Sequence, residues 1–279
     1  MRKIFYLFLF CLLSEWAVAQ TCCQLPSANT TFAQFAEDKE FQMSHLLPLP
    51  YTHISEIGKD ITFKAADGTE AYAYELKAKQ KSNKFILVFH EWWGLNDYIK
   101  KEAEKIYNDL EGKVTVIALD LYDKKVASTR EEAAQFMQSA KKERIEAIIQ
   151  GAFDYAGKKA TFGTIGWCFG GGWSLQAAIL AEKKAKACVI YYGMPEKDTE
   201  RLKKLKAEVL GIFAGRERWI SPAVVAEFEK NLISLKKQFS LQSFDAEHAF
   251  ANPSNPNYNQ EATQKAYQLT ISFFRKKML

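Results

Sequence analysis

Gly166-Trp167-Cys168-Phe169-Gly170-Gly171 is the stretch on which the reading of this chain turns. It stands between a short apolar run, Phe162 to Gly166, and a longer run of helical character, Gly171 to Lys183. Its form is Gly-x-nucleophile-x-Gly. A strand that passes straight into a helix with a reactive side chain at the corner is strained there. The residues two before and two after must be small so that the two backbones can approach. The spacing therefore predicts Cys168 at the top of a strand and at the positive N-terminal end of a helix, where thiolate is favoured over thiol. The bland alternative is a glycine-rich turn around an inert, buried cysteine. The rest of the chain decides between the two.

On both sides, apolar runs of strand length alternate with helical patterns. Ile61 to Lys64 and Ala71 to Leu76 flank Asp67-Gly68, a hairpin signal. Phe85 to Phe89, Val114 to Leu119, Ala187 to Tyr192, Val209 to Phe213 and Phe239 to Phe244 read as further strands. Helices are expected at Ile99 to Leu110, Arg130 to Ala140, Ile145 to Ala156, Pro222 to Lys236 and Gln260 to Lys276. Strand–helix alternation implies an α/β fold, with a mostly parallel central sheet covered by helices on both faces. Ligands of such sheets bind at the carboxyl ends of the strands, so the loops after the buried runs carry the chemistry.

Three loops supply partners for Cys168. His248 follows the last strand, in Asp245-Ala246-Glu247-His248-Ala249-Phe250. Glu217 follows the strand Val209 to Phe213. Nucleophile, acid, then histidine after the final strand is the chain order of the α/β-hydrolase fold. Glu217 would hold the His248 tautomer and stabilise its imidazolium; a surface partner for Arg216 or Arg218 is its alternative role. After Phe89 comes His90-Glu91-Trp92-Trp93-Gly94, the loop expected to give one oxyanion donor. The amides of Trp92 and Phe169 are the candidates. Trp92, Trp93 and Trp167 could wall a pocket or belong to the core. His45 and His53, in the N-terminal extension, read as incidental. No His-Glu-x-x-His or other spaced metal-ligand pattern is present, and no metal or other cofactor is expected.

The 279-residue length suits one large domain, and the net charge of +5 is mild and mixed along the chain. Nucleic acid is not an expected partner. Arg2 and Lys3, the apolar run Ile4 to Leu13 and Ala17-Val18-Ala19 form the three parts of a secretory signal peptide, residues 1–19. That leaves an N-terminal extension, 20–54, in which Leu46-Leu47-Pro48-Leu49-Pro50 must be extended, and a catalytic domain, 55–279. The expected location is outside the cytoplasm, periplasmic or extracellular, with no membrane span after processing; a lipid anchor at Cys22 is the minor alternative. Of the five cysteines, Cys11 lies in the leader. Cys22, Cys23, Cys168 and Cys188 do not make a disulfide framework.

Taken together, Glu91-x-x-Gly94-Leu95-Asn96, Asp120-Leu121-Tyr122, Gly166-x-Cys168-x-Gly170-Gly171, Tyr191-Tyr192-Gly193 and His248-x-Phe250 resemble the dienelactone hydrolases over about Ile61 to Phe274. The resemblance implies a Cys-His-acid triad of Cys168, His248 and Glu217. It also implies that Glu91 holds the resting cysteine as a neutral thiol and then swings to leave a thiolate. This chain departs from the family pattern at two places. The family acid is usually aspartate. The arginines that bind the dienelactone carboxylate are replaced by Lys124 and Asn252, and lysine is not a bidentate clamp. Lys124 remains a substrate-pocket candidate. The expected activity is hydrolysis of a small-molecule ester or lactone other than dienelactone, through a thioester. A non-catalytic binding protein on the same scaffold is the alternative, and a thiol-redox role for Cys168 is a third reading without a resolving cysteine.

Overall fold

The structure, a computed structural model, describes residues 28–279. The leader, Cys11, Cys22 and Cys23 lie outside the described residues. Eight strands form one sheet in the order β1-β2-β4-β3-β5-β6-β7-β8. β1 (Lys59–Lys64), β2 (Glu70–Leu76) and β4 (Thr115–Leu119) pair antiparallel in that order. From β4 onward every pairing is parallel: β3 (Lys84–Phe89), β5 (Thr161–Trp167), β6 (Ala185–Tyr191), β7 (Glu208–Ala214) and β8 (Phe239–Phe244). This is the α/β-hydrolase fold.

The strand sequences account for their places. β4 is buried at all five positions, and β3, β5, β6 and β7 nearly so, as befits parallel strands with both faces covered. β8, at an edge, alternates, with Ser240, Gln242 and Ser243 exposed. The covering helices are amphipathic. α3 (Asp97–Asp109) starts where the Asn96 side chain accepts from the Ile99 amide, and α5 (Lys142–Ala156) buries Ile145, Ile148, Ile149 and Phe153. α6 (Phe169–Ala181) is apolar nearly all round because it runs under the middle of the sheet. α9 (Gln260–Met278) closes the fold against β5, β6 and β7. No helix among the described residues is long and apolar enough to cross a membrane.

Two features go beyond the sequence reading. A short helix, α7 (Thr199–Lys204), lies between β6 and β7. The extension holds α1 (Ala28–Gln34), a single 3-10 turn (Phe35–Glu37) and α2 (Lys39–Ser44). This segment is built into the core: Phe32, Ala36 and Phe41 are buried. Burying one such phenylalanine contributes about 2–3 kcal/mol. Polar contacts fasten the segment at several points. Trp219 Nε1 donates to Asp38 Oδ2 at 3.1 Å, Arg130 Nε donates to the His45 carbonyl at 2.8 Å, and Arg218 pairs with Glu40.

Candidate active site

The corner at Cys168 is as tight as its sequence requires. Cys168 has φ 56° and ψ −121°, a backbone conformation that L-residues avoid. A Cβ on Gly166 would stand 2.1 Å from the Gly170 carbonyl oxygen, and one on Gly170 would stand 2.3 Å from that of Phe89. Only glycine fits at either place. The corner is further held by the Cys168 amide, which donates to the Tyr191 carbonyl at 3.0 Å.

The loops after β7 and β8 bring the acid and the histidine together. Glu217 Oε1 lies 2.7 Å from His248 Nδ1, and the side chains are 0% and 3% exposed, so water does not screen the pair. A carboxylate only accepts, so Nδ1 keeps its proton and Nε2 is the nitrogen that titrates. Burial alone would lower the His248 pKa. The Glu217 carboxylate and Cys168 outweigh it and hold the value well above the ordinary one. Asp245 and Glu247, the other carboxylates near His248 in sequence, are exposed and occupied with Arg216 at 2.7 and 3.0 Å. Burial pushes the Cys168 thiol up, which favours the neutral thiol.

His45 is not incidental. Its Nε2 lies 3.8 Å from Cys168 Sγ, and its ring packs at a tilt against Trp92 and His248 with centroids 4.6 and 5.1 Å apart. Burial, helped by His248, drives its pKa down to about 3, so the ring is neutral. The N-terminal segment thus roofs Cys168. Sequence reasoning missed this because 123 residues separate the two side chains. The nearest local signal is Phe41-x-x-x-His45, which puts both residues on one face at the end of α2. His53 lies away from the site, paired with Glu104 at 2.8 Å.

Glu91 is buried, and its Oε2 accepts from Asn252 Nδ2 at 2.7 Å; burial pushes its pKa up to about 7. With Trp167, Tyr192 and Asn252 it lines a small cleft of about 40 Å³. Asn252, at a position read from sequence as a lost arginine, is therefore a partner of Glu91. Trp92 is fully buried between Phe41, His45 and Trp93. Phe169 is the first residue of α6, where backbone N–H groups have no intrahelical acceptor.

Two pocket candidates belong elsewhere. Trp93 is core: it packs on Trp92 at 4.9 Å, and its carbonyl accepts from the Ala127 amide at 2.9 Å. Lys124 is exposed and lies over the Tyr72 ring, 3.9 Å from its centroid, in a separate cleft. Its backbone explains the direction. Asp123 and Lys124 have φ 52° and 70°, and Asp120 Oδ2 captures the Lys124 amide at 2.5 Å. His90 is structural: Nδ1 donates to the Glu91 carbonyl at 2.5 Å, and Nε2 accepts from the Leu121 amide at 3.1 Å, tying the loop after β3 to that after β4.

Among the described residues, seven buried side-chain polar atoms lack a hydrogen-bond partner. Three of them, on Tyr122, Tyr192 and His248, belong to side chains close enough to Cys168 to feel its charge. Such a concentration is unusual for a core and expected of a site that makes its contacts with a substrate.

Comparison with known proteins bears on the fold and the family. The chain is 23% identical over 228 residues to carboxymethylenebutenolidase 1 of Cupriavidus pinatubonensis, covering 77% of this chain and 94% of that one. It is 31% identical over 113 residues to the carboxymethylenebutenolidase of Pseudomonas sp. strain P51, covering 40% and 46%. In structure it is similar to a dienelactone hydrolase-like promiscuous phosphotriesterase from metagenomic libraries: TM-score 0.69, 18% identity, 80% of this chain and 100% of that one. The dienelactone hydrolase family model matches residues 70–278, which takes in every strand from β2 onward together with Cys168, Glu217 and His248. The chain belongs to the dienelactone hydrolase family.

Proposed function

We propose that this protein hydrolyses a carboxylic ester or lactone with Cys168 as nucleophile, His248 as general base and acid, and Glu217 as the carboxylate that orients His248. The observation that carries the reading is the buried 2.7 Å contact between Glu217 and His248, with a ring nitrogen of His248 within 4.8 Å of the Sγ of a cysteine at a strand–helix corner. Cys168 Sγ attacks the carbonyl carbon as its proton passes to His248 Nε2, and a C–S bond forms. The amides of Trp92 and Phe169 receive the oxyanion. Collapse breaks the C–O bond, and the leaving alkoxide takes the proton from His248. Water then attacks the thioester, His248 takes its proton, and the C–S bond breaks to return the thiol and the acid. In a lactone, alcohol and acid remain on one molecule.

Glu91 fits the activating part that the family resemblance gives it only by releasing Asn252, its partner in this structure. The Glu91 cavity, walled by Trp167 and Tyr192, is the proposed substrate pocket. Export, with cleavage after Ala19, is part of the proposal; N-terminal sequencing of the secreted chain tests it.

The roof over Cys168, which leaves the residue 1% exposed, is the one feature favouring a non-catalytic binding protein. Turnover of a panel of p-nitrophenyl esters and lactones decides between the readings. Hydrolysis abolished in Cys168→Ala supports the enzyme. Absence of both turnover and covalent labelling of Cys168 by an ester-directed probe supports the binder.

A further inference from the structure

The contacts around Cys168 contain one more donor than a hydrolytic triad uses. One ring nitrogen from each of His45 and His248, and Cys168 Sγ, all lie within 4.8 Å of one another, and all three residues are buried. Both imidazoles are oriented in the same way. His45 Nδ1 faces the Phe41 carbonyl at 2.7 Å, and His248 Nδ1 faces Glu217 Oε1 at 2.7 Å. Carbonyl and carboxylate accept only, so each ring keeps its proton on Nδ1, and Nε2 is the lone pair that each neutral ring offers. A thiol has one proton and cannot satisfy two such lone pairs. His248 Nε2 is accordingly without a partner. An imidazole fixed through one nitrogen by a backbone carbonyl or carboxylate, with the other nitrogen free, is how proteins prepare histidine for a metal.

We propose that Cys168, His45 and His248 form a three-ligand site for a divalent cation of the zinc class. One thiolate and two neutral imidazoles are a borderline-soft donor set, suited to zinc or cobalt and unsuited to magnesium or calcium. Bonds of about 2.0–2.1 Å to nitrogen and about 2.3 Å to sulfur place tetrahedral ligand atoms roughly 3.3–3.6 Å apart. The 3.8 Å separation of His45 Nε2 from Sγ closes to that with a shift of a few tenths of an ångström. On binding, the S–H bond breaks, its proton leaves to solvent, and sulfur bonds the cation. A fourth position remains for water. No spacing in the sequence signals this site, because the N-terminal segment, β5 and the loop after β8 each give one ligand.

The consequence is a closed state. The cation occupies both the sulfur that would attack and the nitrogen that would take its proton. It also pins the roof through His45. The metal-bound protein is therefore catalytically silent, and removing the metal restores the free thiol. The site exists whether or not Cys168 turns over esters.

Cobalt(II) titration of the purified, metal-free protein tests the proposal, because a cobalt–thiolate bond absorbs in the near ultraviolet and a tetrahedral centre in the visible. One equivalent of cobalt should give both bands. Cys168→Ala should abolish the near-ultraviolet band, and His45→Ala should weaken binding at least about tenfold, with His53→Ala unchanged. His45→Asn, checked for an unchanged thermal midpoint, covers the case in which the alanine variant loosens the roof, and should weaken binding likewise. No thiolate band in the parent protein overturns the site, as does a band of equal affinity in both well-folded His45 variants or one that survives in Cys168→Ala. The readout is the cobalt spectrum, so a protein that hydrolyses no ester leaves this test intact.

Discussion

Replacing Glu217 by glutamine changes one charge in a place where nothing else can supply it. The carboxylate accepts from His248 Nδ1 at 2.7 Å with both side chains essentially dry. The nearby carboxylates, Asp245 and Glu247, are exposed and committed to Arg216. Glutamine preserves the shape. However, its amide can turn its NH2 toward Nδ1, which puts the imidazole proton on Nε2, where it cannot take the thiol proton. A charge-assisted bond is also about twice as strong as a neutral one. Loss of tautomer control and of the imidazolium's counter-charge corresponds to a fall in kcat of about 10³- to 10⁴-fold, or about 4–5.5 kcal/mol of barrier. The pH profile adds a second signature. His248 must be neutral to act as base, and Glu217 holds its pKa up against burial. Without the carboxylate, burial dominates and the pKa falls. The acid limb of kcat/KM should therefore move to lower pH while the plateau drops. Steady-state kinetics on a p-nitrophenyl ester from pH 5 to 9 would read both. An unchanged plateau with an unmoved limb would refute the role given to Glu217.

Three further outcomes follow from the same geometry. Glu91 has a pKa of about 7 in the folded chain against an ordinary 4.5, so the folded state holds the extra proton between those values and stability falls as pH rises through that window. Glu91→Gln should remove that pH dependence and raise stability at pH 8 by about 3 kcal/mol, read by urea unfolding at pH 5 and pH 8; equal effects at both pH values would contradict the assignment. Gly170→Ala places a methyl 2.3 Å from the Phe89 carbonyl oxygen and should cost about 3 kcal/mol or more, with a thermal midpoint within a degree or two of the parent showing that the corner is looser than described. Phe41→Ala should cost about 3 kcal/mol and loosen the roof. Iodoacetamide should then alkylate Cys168 faster than in the parent, and an unchanged rate would mean that the segment does not guard the thiol.

The frame of the fold was legible because its signals are local and repeated. Phe85 to Phe89 is apolar at every position and Val114 to Leu119 at all but Thr115, as suits doubly covered strands. Gly166 and Gly170 flank Cys168 at the spacing the backbone approach requires. The order Cys168, Glu217, His248 is likewise a property of the chain. The roof was not legible. α1 and α2 have seven and six residues, too few to declare a period, and such helices form only because Phe32 and Phe41 find a core to enter. His45 reaches Cys168 by tertiary packing alone. Lys124 misled for the opposite reason: its place after Asp120-Leu121-Tyr122 pointed to the pocket, but two consecutive left-handed residues turn its side chain onto Tyr72. Trp93 shows that an aromatic next to a catalytic loop can equally be core, since only burial tells the two apart.

The central claim is that Cys168 carries the acyl group. Rapid quenching of the purified protein with a p-nitrophenyl ester, followed by mass spectrometry of the peptide containing residues 166–171, tests it most directly. A transient acyl adduct on Cys168 should appear with the burst of nitrophenol, persist longer in Glu217→Gln and be absent in Cys168→Ala. Turnover with no adduct on that peptide, or with an adduct at another residue, would contradict it.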